Sequence, residues 1–425
     1  MATDRTDKAV LDRSFVAAWS VCLVFYFLQY AMRSAPGVML PELRTAFGLT
    51  ALGVTTLVSI YYYTYAVIAV AAGGSVDRWG AKLPIALGIV AVAVGSIVFP
   101  FSEVGLIGSG LGRLLQGAGA AFAFTGAVYL AARGFSAKWL ATVIGLTQAA
   151  GLLGGFAGQF AVGPLVRDVI SWQWLWVYLG IALAILAILF FVTTPASHPP
   201  VTGSVWHMFA PYKVILRNPQ SYLCGIIAGL LFTPTTVGDM IWGVRFLQEG
   251  LGIDKAEAIV RSSMVPLGWV IGAPLLGYAA DRLGLRKPVL FGGMAVMLLA
   301  GLAVIYFTPL LPHYIGGLVF GIASGCAMIP YSMIKEANPD EVKASTAGTM
   351  NLIVFGFSAI LGPVFGLALQ RLSGGGALTS RTFELADSIW VGSIVLALIL
   401  AFFLRETGTA ARPVLPAAGQ VRPAE

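Results

Sequence analysis

Charge is what this sequence has least of. Only 11% of its 425 residues are Asp, Glu, Lys or Arg, against ~25% in a soluble domain. A water-facing surface cannot be built from so few charges, which excludes an ordinary soluble globule. Cysteine is nearly as scarce. Cys22, Cys224 and Cys326 all fall inside apolar runs, too scattered for a disulfide framework or a zinc cluster, and they read as small buried hydrophobes. His198, His207 and His313 lie in loops or at run ends with no second ligand at metal spacing, so no histidine metal site is expected. There is no G-x-x-x-x-G-K-[ST] run to cradle a nucleotide, and no catalytic constellation. Neither an enzyme activity nor a cofactor is expected. A net charge of +7 would suggest nucleic acid in a soluble protein, but no isolated basic tract is present, and no nucleic-acid partner is expected. The polar N-terminus leads into an apolar run with no cleavage site behind it. That run is expected to be a first spanning helix, not a removed signal peptide.

What is abundant is apolar. Hydrophobic residues make up 58% of the chain, and the mean hydropathy is +0.86. A spanning helix takes ~20 apolar residues. Runs of that kind lie at Phe15–Phe47, Ala51–Gly74, Leu83–Phe101, Val104–Ala132, Leu140–Val166 and Trp174–Val192. A polar stretch, Thr193–Asn218, carries Pro195, Pro199, Pro200 and Pro211. Six more runs follow: Tyr222–Leu247, Ile259–Ala280, Val289–Phe307, Tyr314–Ile334, Ser345–Leu372 and Ile389–Leu404. The expected organisation is therefore a cytoplasmic N-terminus (1–14), a six-helix bundle (15–192), a central cytoplasmic loop (193–221), a second six-helix bundle (222–404) and a cytoplasmic tail (405–425). The fold class is all-α, with twelve transmembrane helices in two pseudo-symmetric bundles.

A repeat supports the duplication. After the second run stands Gly73-Gly74-Ser75-Val76-Asp77-Arg78-Trp79-Gly80-Ala81-Lys82. After the eighth stands Gly277-Tyr278-Ala279-Ala280-Asp281-Arg282-Leu283-Gly284-Leu285-Arg286. Both read G-x-x-x-D-R-x-G-x-[RK], and one pattern at matching places in two halves marks an internal repeat. With the N-terminus in the cytoplasm, most of the 26 Lys and Arg residues fall in cytoplasmic segments. The positive-inside rule then places both termini there. The expected location is the inner membrane of a bacterial cell.

This repeated loop resembles the signature of the major facilitator superfamily, and Arg113-Leu114-Leu115-Gln116-Gly117 is similar to that family's helix-4 motif, R-x-x-x-G. The similarity runs from about Phe15 to Leu404. It implies two six-helix bundles, a central cavity and alternating access. A weaker resemblance concerns cargo. Tyr26-x-x-x-Tyr30-x-x-Arg33 in the first helix is similar to the organophosphate and organic-anion permease branches, where the arginine meets an anion. Those phosphate antiporters also carry an arginine in helix 7, a lysine in helix 2 and a histidine in helix 5. This chain has none of these at those places, so a carboxylate or a zwitterion is as well indicated as a phosphate.

Charges inside a bilayer cost ~2.5–3.5 kcal/mol each on insertion scales and are rarely idle. Three lie well inside runs: Arg33, Arg113 and Asp239. Arg33 offers a planar fork of donors that grips a carboxylate bidentately; the competing reading is a side chain snorkelling to the outer interface. Tyr26 and Tyr30 share its helical face. Gln148 and Asn351 are candidate cavity hydrogen-bonders, as is Gln159, and each serves equally as glue between helices. Asp239 reads as the only acid deep in a run and the candidate proton carrier. Its alternatives are an ion pair with Arg33, on the symmetry-related helix, or a place at the outer mouth. Arg113 either tunes proton transfer or ties helices together. Of Tyr61, Tyr62, Tyr63 and Tyr65, one same-face pair is expected to line the cavity. The glycines of the fifth run (Gly145, Gly151, Gly154, Gly155, Gly158) read as close helix packing. The loop residues Gly73, Asp77, Arg78, Gly80, Lys82, Gly277, Asp281, Arg282, Gly284 and Arg286 read as gating elements, with Asp77 or Asp281 as a latch.

The function expected from all this is secondary transport of a small organic solute, anionic, by proton-coupled or exchange alternating access, in a monomer whose partners are the bilayer, the solute and protons. One alternative is a carrier of a cation, a metal ion or an organic base, with Asp239 as counter-charge. Another, of a different class, is a membrane sensor or scaffold on the same fold.

Overall fold

The computed structural model describes residues 12–101, 105–195, 209–307, 312–339 and 342–411. Among them there is helix and no strand. The twelve spans are α1 (Arg13–Ser34), α2 (Ala51–Trp79), α3 (Lys82–Val98), α4 (Gly105–Gly134), α5 (Ala137–Phe160), α6 (Trp172–Thr193), α7 (Pro219–Thr233 and its continuation), α8 (Lys255–Leu283), α9 (Lys287–Tyr306), α10 (Ile315–Ser324, continued by Ile329–Glu336), α11 (Lys343–Leu372) and α12 (Ser380–Ala401). Eleven are long and apolar enough to cross a bilayer unaided. The exception, α3, has 17 residues, at the lower limit for a span.

Local chemistry sets the boundaries. Asp12 caps α1 by accepting from Ser14 N at 3.0 Å, and Thr50 caps α2 by accepting from Gly53 N at 3.2 Å. Pro36 and Gly37 tighten the end of the first run into a 3₁₀ segment, Ala35–Met39, before a short helix, Leu40–Phe47. The symmetry-related α7 is interrupted at the equivalent place. Pro234 has no N–H to give, and the helix widens into π turns at Pro234–Asp239 and again at Phe246–Gly250.

The last span corrects the sequence reading. Its hydrophobic run begins at Ile389, but the helix begins at Ser380, because Thr379 and Thr382 form a reciprocal capping box. That places Asp387 inside a span, so Asp239 is not the lone intramembrane acid.

Helices α1–α6 and α7–α12 pack as two bundles joined along α2 with α11 and α5 with α8. The face bearing the α2–α3 and α8–α9 loops is called the motif face below, and the opposite one the far face. Close backbone approach seals the far-face half. A Cβ on Gly37 would strike the Met240 carbonyl oxygen, and one on Gly366 of α11 would come within 2.7 Å of Thr55 Oγ1 on α2. Gly154 and Gly158 of α5 lie against the α1 backbone at Phe27 and Ala31, as the packing reading of that helix expects. Lys255 reaches Glu42 at 2.7 Å across the two bundles. Large apolar side chains on the outer surface, Ile107 and Val192 among them, are exposed, as a lipid-facing surface requires.

Candidate functional site

Between the bundles lies a cavity of about 380 Å³. It extends from mid-membrane to the motif face, where Arg286 and Lys335 line its mouth. Tyr26 and Tyr30 of α1, Gln148 of α5 and Asn351 of α11 all line it, so four sequence-predicted substrate residues share one space. Two hydrogen bonds order its walls: Tyr26 Oη donates to Gln148 Oε1 at 2.8 Å, and Tyr331 Oη donates to Asn351 Oδ1 at 3.2 Å. The remaining walls are aromatic, with Tyr65, Phe124, Trp269 and Phe355 prominent. No Asp or Glu lines it among the described residues.

Arg33 is 1% exposed, which removes the snorkelling reading. Its guanidinium carbon lies 4.2 Å from the Tyr30 ring centroid, 4.7 Å from that of Phe355 and 5.0 Å from that of Tyr65. These three rings also line the cavity, so the arginine sits directly behind the aromatic roof. Its Nη2 donates weakly, at 3.4 Å, to both Gln29 Oε1 and Tyr61 Oη. Its Nε and Nη1 are buried and make no close hydrogen bond among the described residues, with the Tyr65 side chain nearby. A buried guanidinium with two idle donors is costly unless an anion arrives to use them.

The tyrosines of α2 divide by face. Tyr65 lines the cavity, Tyr61 lies behind it at 6.0 Å in a stacked pair, and Tyr63 is exposed on the outer surface. Arg113 does not reach the cavity. It is fully buried, its Nη1 donating to Gln116 Oε1 at 2.8 Å and its Nη2 to the Val58 carbonyl at 3.2 Å, and it also packs over the Tyr61 ring. This geometry ties α4 to α2.

Asp239 does not line the cavity either, and it makes no ion pair with Arg33 among the described residues. Its Oδ1 accepts from Ser262 Oγ of α8 at 3.0 Å. Ser262 Oγ in turn accepts from Gln159 Nε2 of α5 at 3.3 Å. Gln159 is therefore a bridge between bundles instead of a cavity wall. Gly37, one turn beyond Arg33, touches the Met240 backbone, so the two helices meet while their charged side chains diverge.

The loop of the second repeat is fully described. Arg286 pairs with Asp281 at 2.5 Å and with Glu336 at the end of α10 at 2.7 Å, all within the C-terminal half. Glu406 accepts from the backbone N–H groups of Arg286 and Lys287 at 2.7 and 2.9 Å. Partial burial works against its charge, but these donors, with Gly408 and Thr407, outweigh it and hold the carboxyl below its usual range. Arg282 Nη1 donates to Tyr278 Oη at 3.4 Å. In the first repeat, Gly80 adopts φ 75°, open to glycine, and Lys82 lies over the Phe191 ring. The Asp77 side chain, His198 and His207 fall outside what is described.

Sequence reasoning missed Trp269, Tyr331, Lys335 and Phe355 in the cavity, and Asp387. Lone aromatics in apolar runs carry no signal of which face they occupy, and Lys335 sits at a run end. Asp387 was legible only through the Thr379 cap.

The sequence pattern of the Major Facilitator Superfamily matches residues 22–363 and 235–424. The chain is 23% identical over 349 residues to the cis,cis-muconate transport protein of Acinetobacter baylyi, covering 78% of this chain and 83% of that one. It is 24% identical to a probable sulfoacetate transporter of Cupriavidus necator, covering 83% and 86%. It is 25% identical to a membrane sensor protein of Salmonella typhimurium, covering 67% and 70%. Among solved structures, a bacterial homologue of the human lysosomal transporter Spinster, inward-facing and occupied, superposes with a TM-score of 0.74 at 16% identity, covering 92% and 96%. At that identity the likeness is one of fold.

Proposed function

The chain belongs to the Major Facilitator Superfamily and is a multi-pass membrane transporter, not an enzyme, and from this we propose that it carries a small organic carboxylate recognised by Arg33. The carrying observation is the buried guanidinium whose Nε and Nη1 make no close hydrogen bond among the described residues, set behind three rings that line the central cavity. A carboxylate entering between Tyr30, Tyr65 and Phe355 meets a fork of matching geometry. The cavity lining has cations at its mouth and no acid among the described residues, which disfavours a cationic cargo. The relatives named for muconate and sulfoacetate point to organic anions.

The motif face is the cytoplasmic one in this proposal, on the positive-inside argument. The structure then corresponds to the inward-facing state, with the far-face half shut by Gly37 on Met240 and by Lys255 on Glu42. Anion binding beside Arg33 and reopening of the far face complete the cycle. Whether the cycle runs by exchange or with a proton is set at a different site, taken up below.

The test is uptake of labelled cis,cis-muconate and sulfoacetate by proteoliposomes, alongside a thermal-shift panel of organic acids, amines and metal ions. Acids are expected to raise the melting temperature. Stabilisation by amines or metal ions but not by acids overturns the anion reading. Stabilisation by an acid that is never transported favours a sensor, the class for which one relative is named.

A further inference from the structure

A second, smaller pocket lies inside the C-terminal bundle, in its far-face half and apart from the cargo cavity. Asp239 and Trp242 come to it from α7, and Asp387 and Trp390 from α12. Its other walls are apolar, Val265, Phe246 and Phe383 among them. Its volume is about 70 Å³, room for a few waters and too little for an organic solute.

Several polar groups of this pocket lack partners among the described residues. Neither Asp239 nor Asp387 has a basic partner among the described ion pairs. Asp239 Oδ2 is buried with nothing to bond. The indole Nε1 of Trp242, on a side chain 1% exposed, is likewise buried without an acceptor, and the Trp390 indole N–H lies beside the Asp387 carboxyl. Asp387 itself is 7% exposed. Buried polar atoms of this kind are normally satisfied by protein or water. Asp239 also lines an adjoining cleft with Arg261 and His313, which leads to the far face.

The neighbouring charges are spent elsewhere. On α8, Arg261 pairs with Glu257 at 2.5 Å, and Glu257 also takes His313, which precedes α10, at 3.1 Å. On the α7 extension Arg245 pairs with Glu249, and on α12 Arg381 pairs with Glu384 at 3.3 Å. Lys255 holds Glu42, and Arg33 of α1 faces the α2 tyrosines. The far-face half of α9 brings no charge. A hard metal cation wants about six oxygens, and two carboxyls in an apolar box do not supply them. Two carboxylates in one small pocket with no cation cost less when one of them carries a proton.

We infer that the Asp239–Asp387 pocket is a proton-binding site open to the far face, and that its occupancy sets how firmly the far face is closed. The link is the chain Gln159 to Ser262 to Asp239, which crosses from the N-terminal bundle to the acid. With Asp239 ionised, the Ser262 hydroxyl donates to a charged acceptor, the stronger kind of hydrogen bond, and is held in place to accept from Gln159. A proton on Asp239 weakens that bond and so weakens the bridge between bundles. By reciprocity, the state with the far face open binds the proton more tightly. This deepens the transporter reading but does not depend on which solute is carried.

The test measures the far-face opening directly, in lipid nanodiscs, by pulsed EPR between spin labels at Thr45→Cys and Ala377→Cys. Both positions are exposed, and the three native cysteines are buried. In the otherwise wild-type protein, lowering the pH stepwise is expected to populate a longer distance, since a proton on Asp239 loosens the bridge to Gln159. Asp239→Asn should abolish the response, and Asp239→Glu should restore it. Asp387→Asn should keep the response, because the bridge to the N-terminal bundle runs through Asp239. Ser262→Ala should lengthen the distance at every pH. A wild-type distance that ignores pH, or an Asp239→Asn response equal to wild type, overturns the inference. Failure to transport either anion with the pH response intact would reject the cargo reading alone.

Discussion

Arg33 and Arg113 are both arginines buried in a bundle, yet their surroundings give them different work. Arg113 makes two good hydrogen bonds, to Gln116 and the Val58 carbonyl, and its loss removes a tie between helices. Arg113→Ala is expected to lower the melting temperature while leaving anion affinity within a few-fold. Unchanged melting with lost binding would reverse that assignment. Arg33 makes only long contacts and keeps two donors idle. Arg33→Lys replaces a fork with a point charge and should weaken anion binding by at least about tenfold, or ~1.4 kcal/mol, with little change in melting temperature. Titration calorimetry with the best anion from the thermal-shift panel reads this directly, and wild-type affinity in Arg33→Ala would remove the arginine from recognition. Glu406 gives a prediction at acid pH. Its folded carboxyl lies below the ordinary range, so its contribution is complete above the unfolded value, ~4.3, and fades as pH falls through the folded one. Glu406→Gln should therefore melt below wild type at neutral pH, and the gap should narrow in acid. A gap that stays constant between neutral pH and pH 3 would remove Glu406 from the pH dependence.

At the scale of elements, the helices that bear Arg33 and Asp239 are both interrupted just beside those residues. The break after α1 follows from Pro36, and that in α7 from Pro234; both expose backbone where the bundles meet. Gly37 is the point of closest approach, since a Cβ there would overlap the Met240 carbonyl oxygen. Gly37→Val should hold the far face apart. The expected result is a longer Thr45–Ala377 distance at all pH values and uptake slowed about tenfold or more, while anion binding survives. Wild-type uptake by Gly37→Val would show that the far face closes elsewhere. The fifth helix behaves as its glycines suggest, lying against α1, and its polar Gln159 reaches across to α8 where a small serine admits it.

The whole molecule is two bundles held together at the far face and parted around a cavity at the motif face, and one acid-bearing pocket lies beside the closed half. The twelve-helix count and the repeat were legible in the chain because the bilayer imposes them. A span must be ~20 residues long and apolar, and a duplicated bundle keeps its Asp-Arg-x-Gly loops. Candidate polar residues were legible for the same reason, since any charge inside a run stands out against hydrocarbon. Partnership was not legible. Sequence placed Arg33 and Asp239 on symmetry-related helices and left a direct ion pair open; the structure turns Arg33 toward the tyrosines of α2 and Asp239 toward Ser262. It also brought in Asp387, hidden because its polar first turn does not belong to a hydrophobic run, and Trp269, Tyr331 and Phe355, which are indistinguishable by composition from lipid-facing aromatics. The sequence by itself determined how many helices cross the membrane and marked the charges that stand inside hydrophobic runs, because solvent chooses those residue by residue. Only the tertiary structure decided which buried groups meet, because the rotation of each helix about its axis is set by packing against neighbours far away in the chain.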